Sequence, residues 1–389
     1  MRFDFDTVIP RRGSDSVKWD SYAPDAIPMW VADMDFKAAP AILEALQRRL
    51  DHGVFGYERV PQRYFDAVTG WFSRRHGWTF RTEDIIPTTG VIAAYSACIK
   101  AMTEPGDKVI IQPPVYNCFF PAVRNNRCIE SRNDLLYRDG RYTIDFEDLE
   151  RRAADPEAKV LLLCNPHNPV GRVWTRDELL RIGDICLRHG VFVISDEIHC
   201  ELTYPGHDYT PYGSLGRDYA LGSATCCSPT KAFNIAGIQI ANIVAADPSR
   251  RERIDRAVNE NECCDVNVFG TKALVAAYNE SEDWLDALRE YLLANAVCVR
   301  ERFREALPDV PVLPLEGTYL MWLDTTALGE GLWAYLRDEA GVVLSEGRIY
   351  GKDGFLRLNI ACPRVILEEG LERLIHGIQQ YKLTINKPC

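Results

Sequence analysis

Val160-Leu161-Leu162-Leu163-Cys164 runs without a break into Asn165-Pro166-His167-Asn168-Pro169-Val170-Gly171. Five apolar residues bounded by turn-formers are too short for a buried helix and read as a strand covered on both faces. Two prolines and a glycine then end the strand in a stiff loop able to hold Asn168 in one place. The same texture recurs at Lys108 to Gln112, Val191 to Ser195 and Ala220 to Cys226. Between them, Thr175 to His189 carries Leu179, Ile182 and Cys186 at helical spacing, opened by Thr175 with Glu178 three residues later, a capping box. Strand–helix alternation of this kind predicts an α/β fold with a mostly parallel sheet sandwiched by helices.

In an open parallel sheet, ligands bind beyond the carboxyl ends of the strands. The second strand ends in Asp196-Glu197-Ile198-His199, and a carboxylate there is costly unless a cation or donors face it. Capping of a following helix is the plainer role for Asp196. Holding a protonated pyridine nitrogen is the functional one. The third strand ends in Ser228-Pro229-Thr230-Lys231-Ala232-Phe233-Asn234, where apolar neighbours can lower the pKa of Lys231, as imine formation requires. A single lysine is ordinarily a surface charge, so Lys231 gains weight only from its company. Thr88-Thr89-Gly90-Val91-Ile92 opens an apolar-periodic helix running to Met102, and the free N–H groups of such a start suit a phosphate. Pro113-Pro114-Val115-Tyr116 places an aromatic ring at the same edge, with core packing as its alternative use.

Beyond Asn279 the texture changes: a long helical stretch from Trp284 to Leu307, strand-like Thr318 to Asp324, a helix from Leu332 to Glu339, a strand at Phe355 to Asn359 and a closing helix. The expected organisation is an N-terminal arm (1–45) packed on a smaller α+β domain or a partner chain, a large domain (46–283), and the small domain (284–389).

Composition narrows the function. In 389 residues the net charge is −11, which argues against a nucleic-acid partner. No apolar run approaches the ~20 residues of a membrane helix, and residues 1–13 lack the apolar stretch of a secretory leader. The 13 cysteines are scattered, with adjacent pairs at Cys226-Cys227 and Cys263-Cys264 and no metal-ligand spacing, which suggests reduced thiols in the cytoplasm and no metal. A nicotinamide-type Gly329-x-Gly331-x-x-Ala334 lies too near the C-terminus to open a dinucleotide domain.

Asn165 to Gly171, Asp196 to His199 and Ser228 to Lys231, with Asp196 and Lys231 35 residues apart, together resemble the motifs of fold-type I, class I/II aminotransferase-like enzymes that use pyridoxal 5′-phosphate (PLP). Met29-Trp30-Val31-Ala32-Asp33-Met34-Asp35-Phe36, His52-Gly53-Val54-Phe55-Gly56-Tyr57 and Arg357-Leu358-Asn359-Ile360-Ala361-Cys362-Pro363-Arg364 are similar to the MalY/PatB-type cystathionine β-lyase (carbon–sulfur lyase) subgroup. The resemblance implies that Lys231 forms the Schiff base, Asp196 partners the pyridine nitrogen, Asn168 bonds the ring 3-oxygen with His199 nearby, and Tyr116 stacks on the ring. It implies a phosphate cradle of Val91, Ile92 and Ser228, completed by Tyr57 of the partner subunit in a homodimer, with Tyr57 and Tyr116 also catalytic. Arg357 would clamp the carboxylate of a sulfur amino acid. Two departures stand out. Gln239 occupies the place, eight residues after the lysine, where aspartate-type aminotransferases carry a phosphate-binding Arg, and its presence favours the lyase subgroup over amino transfer. Pro229 and Thr230 replace small residues before the lysine. A lyase-like protein with a regulatory binding role is the third reading.

Overall fold

The structure, a computed structural model, describes residues 3–260 and 265–385. The pair Cys263-Cys264 lies outside the described residues. The central sheet has seven strands: β1 (Ile85–Thr88), β2 (Lys108–Ile111), β3 (Ile129–Arg132), β4 (Ala158–Cys164), β5 (Phe192–Asp196), β6 (Ser223–Cys227) and β7 (Ala241–Val244). Their order across the sheet is β1-β7-β6-β5-β4-β2-β3. Every pairing from β6 to β3 is parallel, while β7 runs antiparallel to both neighbours. The four strands expected from sequence are all present, three within a residue or two of their expected bounds. The strand expected to begin at Ala220 begins instead at Ser223, because Arg217–Leu221 forms a short helix whose last turn Gly222 closes by donating its N–H to the carbonyl of Asp218.

Both faces of the sheet are covered, as the unbroken apolar runs require. Val160, Leu162 and Cys164 of β4 face α1 (Val91–Met102), while Leu161 and Leu163 face α2 (Arg176–His189). The capping box at α2 forms as expected: Thr175 Oγ1 accepts from Glu178 N–H and the Glu178 carboxylate accepts from Thr175 N–H. What matters for the site is register. Cys164, Asp196 and Cys226 lie abreast in β4, β5 and β6, so the three loops that follow start side by side at one edge.

The long helix α3 (Glu282–Ala306) leads to a three-stranded antiparallel sheet of β8 (Leu320–Asp324), β9 (Ser345–Glu346) and β10 (Phe355–Asn359), in the order β8-β10-β9, backed by α4 (Arg364–Ile385). Arg357 on β10 sits opposite Trp322 on one side and Ser345 on the other. Ile27-Pro28 pairs in parallel with Val342-Val343, which ties the N-terminal segment to this region. No helix among the described residues is long and apolar enough to cross a membrane. The ten cysteines among the described residues are free thiols.

Candidate active site

A cavity of about 540 Å³ opens where the three loops meet, lined among others by Val91, Ile92, Tyr116, Asn168, Asp196, His199 and Lys231. Seven of the residues singled out in the sequence therefore line one cavity. Asp196 is buried, and among the described residues the one donor bonded to its carboxylate is the N–H of Ile198, at 3.2 Å. Burial is the main force lifting its pKa to about 7, reinforced by neighbouring Glu197 and opposed by the Ile198 bond and the charge of Lys231. Glu197, the other acid of that pair, is satisfied elsewhere: it accepts from Ser195 Oγ, Tyr212 N–H and the Tyr209 hydroxyl. Of the two carboxylates, only Asp196 is presented to the cavity.

Lys231 is half-buried, with its Nζ donating to the carbonyl of Ala32 at 2.6 Å. Desolvation, helped by the charge of Arg357, brings its pKa down to about 8, against the pull of Asp33 and Asp196. A substantial fraction is thus a free amine near neutral pH, as a nucleophilic or basic lysine needs. His199 is driven down to about 3 by burial and by the cations Lys231 and Arg357, so its imidazole is neutral. Its Nδ1 is buried and has no hydrogen-bond partner among the described residues.

Arg357, 4 % exposed, donates Nη1 to Asn168 Oδ1 at 3.1 Å and Nη2 to the carbonyl of Trp30 at 2.8 Å. Its Nε is buried without a partner, and no carboxylate among the described residues comes within ion-pair reach. A buried guanidinium bonded only to neutral oxygens has room for an incoming carboxylate. The helix start serves the opposite end of the cavity: Thr89, Gly90, Val91 and Ile92 line it, and the first-turn N–H groups of α1 have no carbonyl within the helix to bond.

Three expected residues stand off the lining: Arg357, which reaches it only through its bond to Asn168, Ser228 and Tyr57. Ser228 is buried beside the cavity and not on its wall; its hydroxyl donates to the carbonyl of Ile240 and bonds Thr230, which does line it. Tyr57 is 104 % exposed and does not touch the cavity of its own chain. Gln239 lines the cavity in a left-handed conformation at φ 55°. The sequence did not single out Tyr95, whose buried hydroxyl has no hydrogen-bond partner among the described residues, nor Cys164, nor the carbonyl of Ala32. Elsewhere His76, Cys200 and Glu201 approach one another within 4.8 Å; Glu201 Oε1 accepts from Trp71 Nε1 and lies 2.8 Å from His76 Nε2, while Oε2 is buried with no hydrogen-bond partner among the described residues.

This arrangement is matched in known proteins. The model of aminotransferase class I and II fits residues 25–374. The chain belongs to that family. It is 44% identical over 95% of its length to cystathionine beta-lyase PatB of Bacillus subtilis, 98% of which is covered, and 36% identical over 97% of its length to protein MalY of Escherichia coli, 99% of which is covered. Among solved structures, cystalysin from Treponema denticola, which contains a pyridoxal 5′-phosphate cofactor, superposes with a TM-score of 0.95 at 37% identity over 98% of this chain and 100% of that one. The family's cofactor is PLP, and the cavity fits it: its lining holds a helix start for phosphate, a buried carboxylate with one bonded donor among the described residues for the ring nitrogen, and the amine of Lys231.

Proposed function

We propose that the chain is a PLP-dependent carbon–sulfur β-lyase that cleaves L-cystathionine or related cysteine S-conjugates to a thiol, pyruvate and ammonia. The observation that carries this reading is the cavity lined by Lys231, Asp196 and Asn168, the last bonded to a buried guanidinium, Arg357, that no carboxylate among the described residues pairs with. Bound there, PLP supplies an electron sink for the electron pair left when a proton leaves the substrate Cα. Asp196 holds a proton at the ring nitrogen, and its raised pKa shows how strongly the buried carboxylate wants a cation or a proton. Arg357 binds the substrate carboxylate, and Asn168, bonded to Arg357 Nη1, fixes the angle of the guanidinium. Nζ of Lys231 takes the Cα proton, for which a pKa near 8 is well matched. The Cβ–S bond then breaks with its electrons on sulfur, and the released three-carbon enamine takes up water to give pyruvate and ammonia.

Gln239 supports elimination over amino transfer, since the phosphate-side Arg of aspartate-type aminotransferases is missing. The active unit in this reading is a homodimer. Tyr57 stands fully exposed beside exposed Val54 and Phe55, and the neighbouring Glu58 is anchored by Arg49 and Lys272. That arrangement suits Tyr57 of the partner subunit reaching the phosphate end of the cavity. A reducing compartment such as the cytoplasm suits the free thiols. The test is release of pyruvate and thiol from cystathionine, cysteine, cystine and S-alkyl cysteines with no keto acid added. Turnover that requires a keto acid and liberates no thiol would overturn the reading in favour of amino transfer.

A further inference from the structure

Tyr319 has no part in the reading so far, yet it is built into the site with care. Its hydroxyl donates to the carbonyl of Ala32 at 2.8 Å, the same oxygen that accepts Lys231 Nζ at 2.6 Å. Its ring is completely buried and meets the ring of His199 edge-on, with centroids 5.9 Å apart. The residue before it, Thr318, has φ 70°, a conformation that a β-branched residue adopts only when its surroundings impose it. Here they do so through three bonds: Thr318 N–H to the carbonyl of Leu202, the Tyr204 hydroxyl to the carbonyl of Thr318, and Leu320 N–H to Thr318 Oγ1. The strained turn delivers the Tyr319 hydroxyl to one carbonyl.

That carbonyl is itself held still. Asn359 Nδ2 bonds the carbonyls on either side of it, Val31 at 2.5 Å and Asp33 at 2.7 Å, and Arg357 bonds that of Trp30. Arg11 and Lys18 pair with Asp33 and Asp35 behind the segment. A fixed acceptor shared by two donors gives each a weaker bond than it would have alone.

We propose that Tyr319 is a positioning residue that sets the basicity of Lys231: by occupying part of the Ala32 carbonyl, it limits how firmly that oxygen holds the Lys231 ammonium and so keeps the amine available as a base. The inference rests on Lys231 being the cofactor lysine. The charged and titratable groups facing Lys231 are Arg357 on β10, Asp33 in the N-terminal segment, Asp196 at the end of β5, His199 and Cys118, with Tyr116 across the cavity. None of these is altered by changing Tyr319 to Phe, which keeps the ring and removes the hydroxyl alone.

The experiment compares wild type, Tyr319→Phe and Lys231→Ala in two measurements. The first is the acid limb of the kcat–pH profile for thiol release by the holoenzyme. The second is the pH dependence of lysine labelling by an amine-reactive nitroaryl reagent in the full chain stripped of PLP, with the Lys231→Ala rate subtracted. With its competitor gone, the Ala32 carbonyl holds the ammonium more firmly, so in Tyr319→Phe both midpoints should rise by about half a pH unit, the size of one modest hydrogen bond. An unmoved midpoint, or one that falls, overturns the proposal even if kcat drops, because packing loss alone would not move it. If Lys231→Ala still releases pyruvate at the wild-type rate, it is the assignment of Lys231 that fails, and the two failures are told apart.

Discussion

The two walls of the cavity are made in different ways. The wall at the ends of β4, β5 and β6 acts through side chains placed by a parallel sheet: Asn168, Asp196 and Lys231 each follow a strand, and the strands are in register. The second wall, which reaches the cavity at Ala32, acts largely through backbone. The carbonyls of Trp30, Val31, Ala32, Asp33 and Met34 accept in turn from Arg357, Asn359, Lys231 with Tyr319, Asn359, and Asn234. In the proposed reading the first wall supplies the groups that do chemistry, and the second determines where those groups and the substrate sit. Changes in the first should therefore fall on kcat and cofactor chemistry, and changes in the second on binding and on pH dependence.

The largest effect expected tests the first wall. Asp196→Asn leaves the shape of the site but removes the charge that keeps the ring nitrogen protonated, so kcat should fall by about a hundredfold or more. Steady-state kinetics with saturating PLP would check this, and a loss under tenfold would make the two walls alike. The same group bears on stability. Its folded pKa of about 7 lies above the ordinary 3.8, so the PLP-free protein loses stability as pH rises from about 4 through 7. Lys231 has the reverse sign: its folded value of about 8 lies below 10.5, so its contribution is present above 10.5 and lost as pH falls through 8. His199, held at about 3, contributes with the opposite sign over the same range in both proteins, so the expected readout is a difference: the melting temperature of PLP-free Asp196→Asn relative to wild type should rise between pH 5 and 7.

On the second wall, Arg357→Lys keeps the charge and loses the two-pronged grip. KM should rise about tenfold or more with a smaller change in kcat, the signature of lost substrate binding. A kcat loss at unchanged KM would assign Arg357 to the chemistry instead and erase the contrast. The smallest effect concerns Tyr57. Tyr57→Phe should weaken PLP retention only about fivefold, one hydrogen bond's worth, measured by fluorescence titration of PLP-free protein. A change of that size appearing only at protein concentrations that support a dimer would place the contact across the interface.

The two walls also differed in how far the sequence revealed them. β4, β5 and the loops after them could be read because unbroken apolar runs, prolines and an acid at a strand end are written in side-chain type. The helix at Val91–Met102 and the strand at Phe355–Asn359 were bounded correctly for the same reason. β7 was missed because its four residues, Ala241–Val244, include a polar Asn242 that breaks the apolar run. The Ala32 carbonyl could not have been found, since a backbone acceptor looks the same at every residue. Tyr319 was hidden inside a strand expected from Thr318 to Asp324; in the structure the strand starts at Leu320, and the turn at Thr318 that frees the tyrosine has no sequence mark such as a glycine at that position. The sequence also carried no mark of the turn in which the Ser228 hydroxyl bonds the carbonyl of Ile240 and Thr230, beside the cavity lining.

The bonds from Asn359 to the carbonyls of Val31 and Asp33 join positions 328 and 326 residues apart, whereas Asn168 and Lys231 are separated by 63. Closing a loop of the first kind costs about 1.5 kcal/mol more chain entropy and must wait for nearly everything between to condense. The wall that holds the cofactor can thus assemble from one continuous stretch of chain, while the wall that grips the substrate exists only once distant parts of the polypeptide have met.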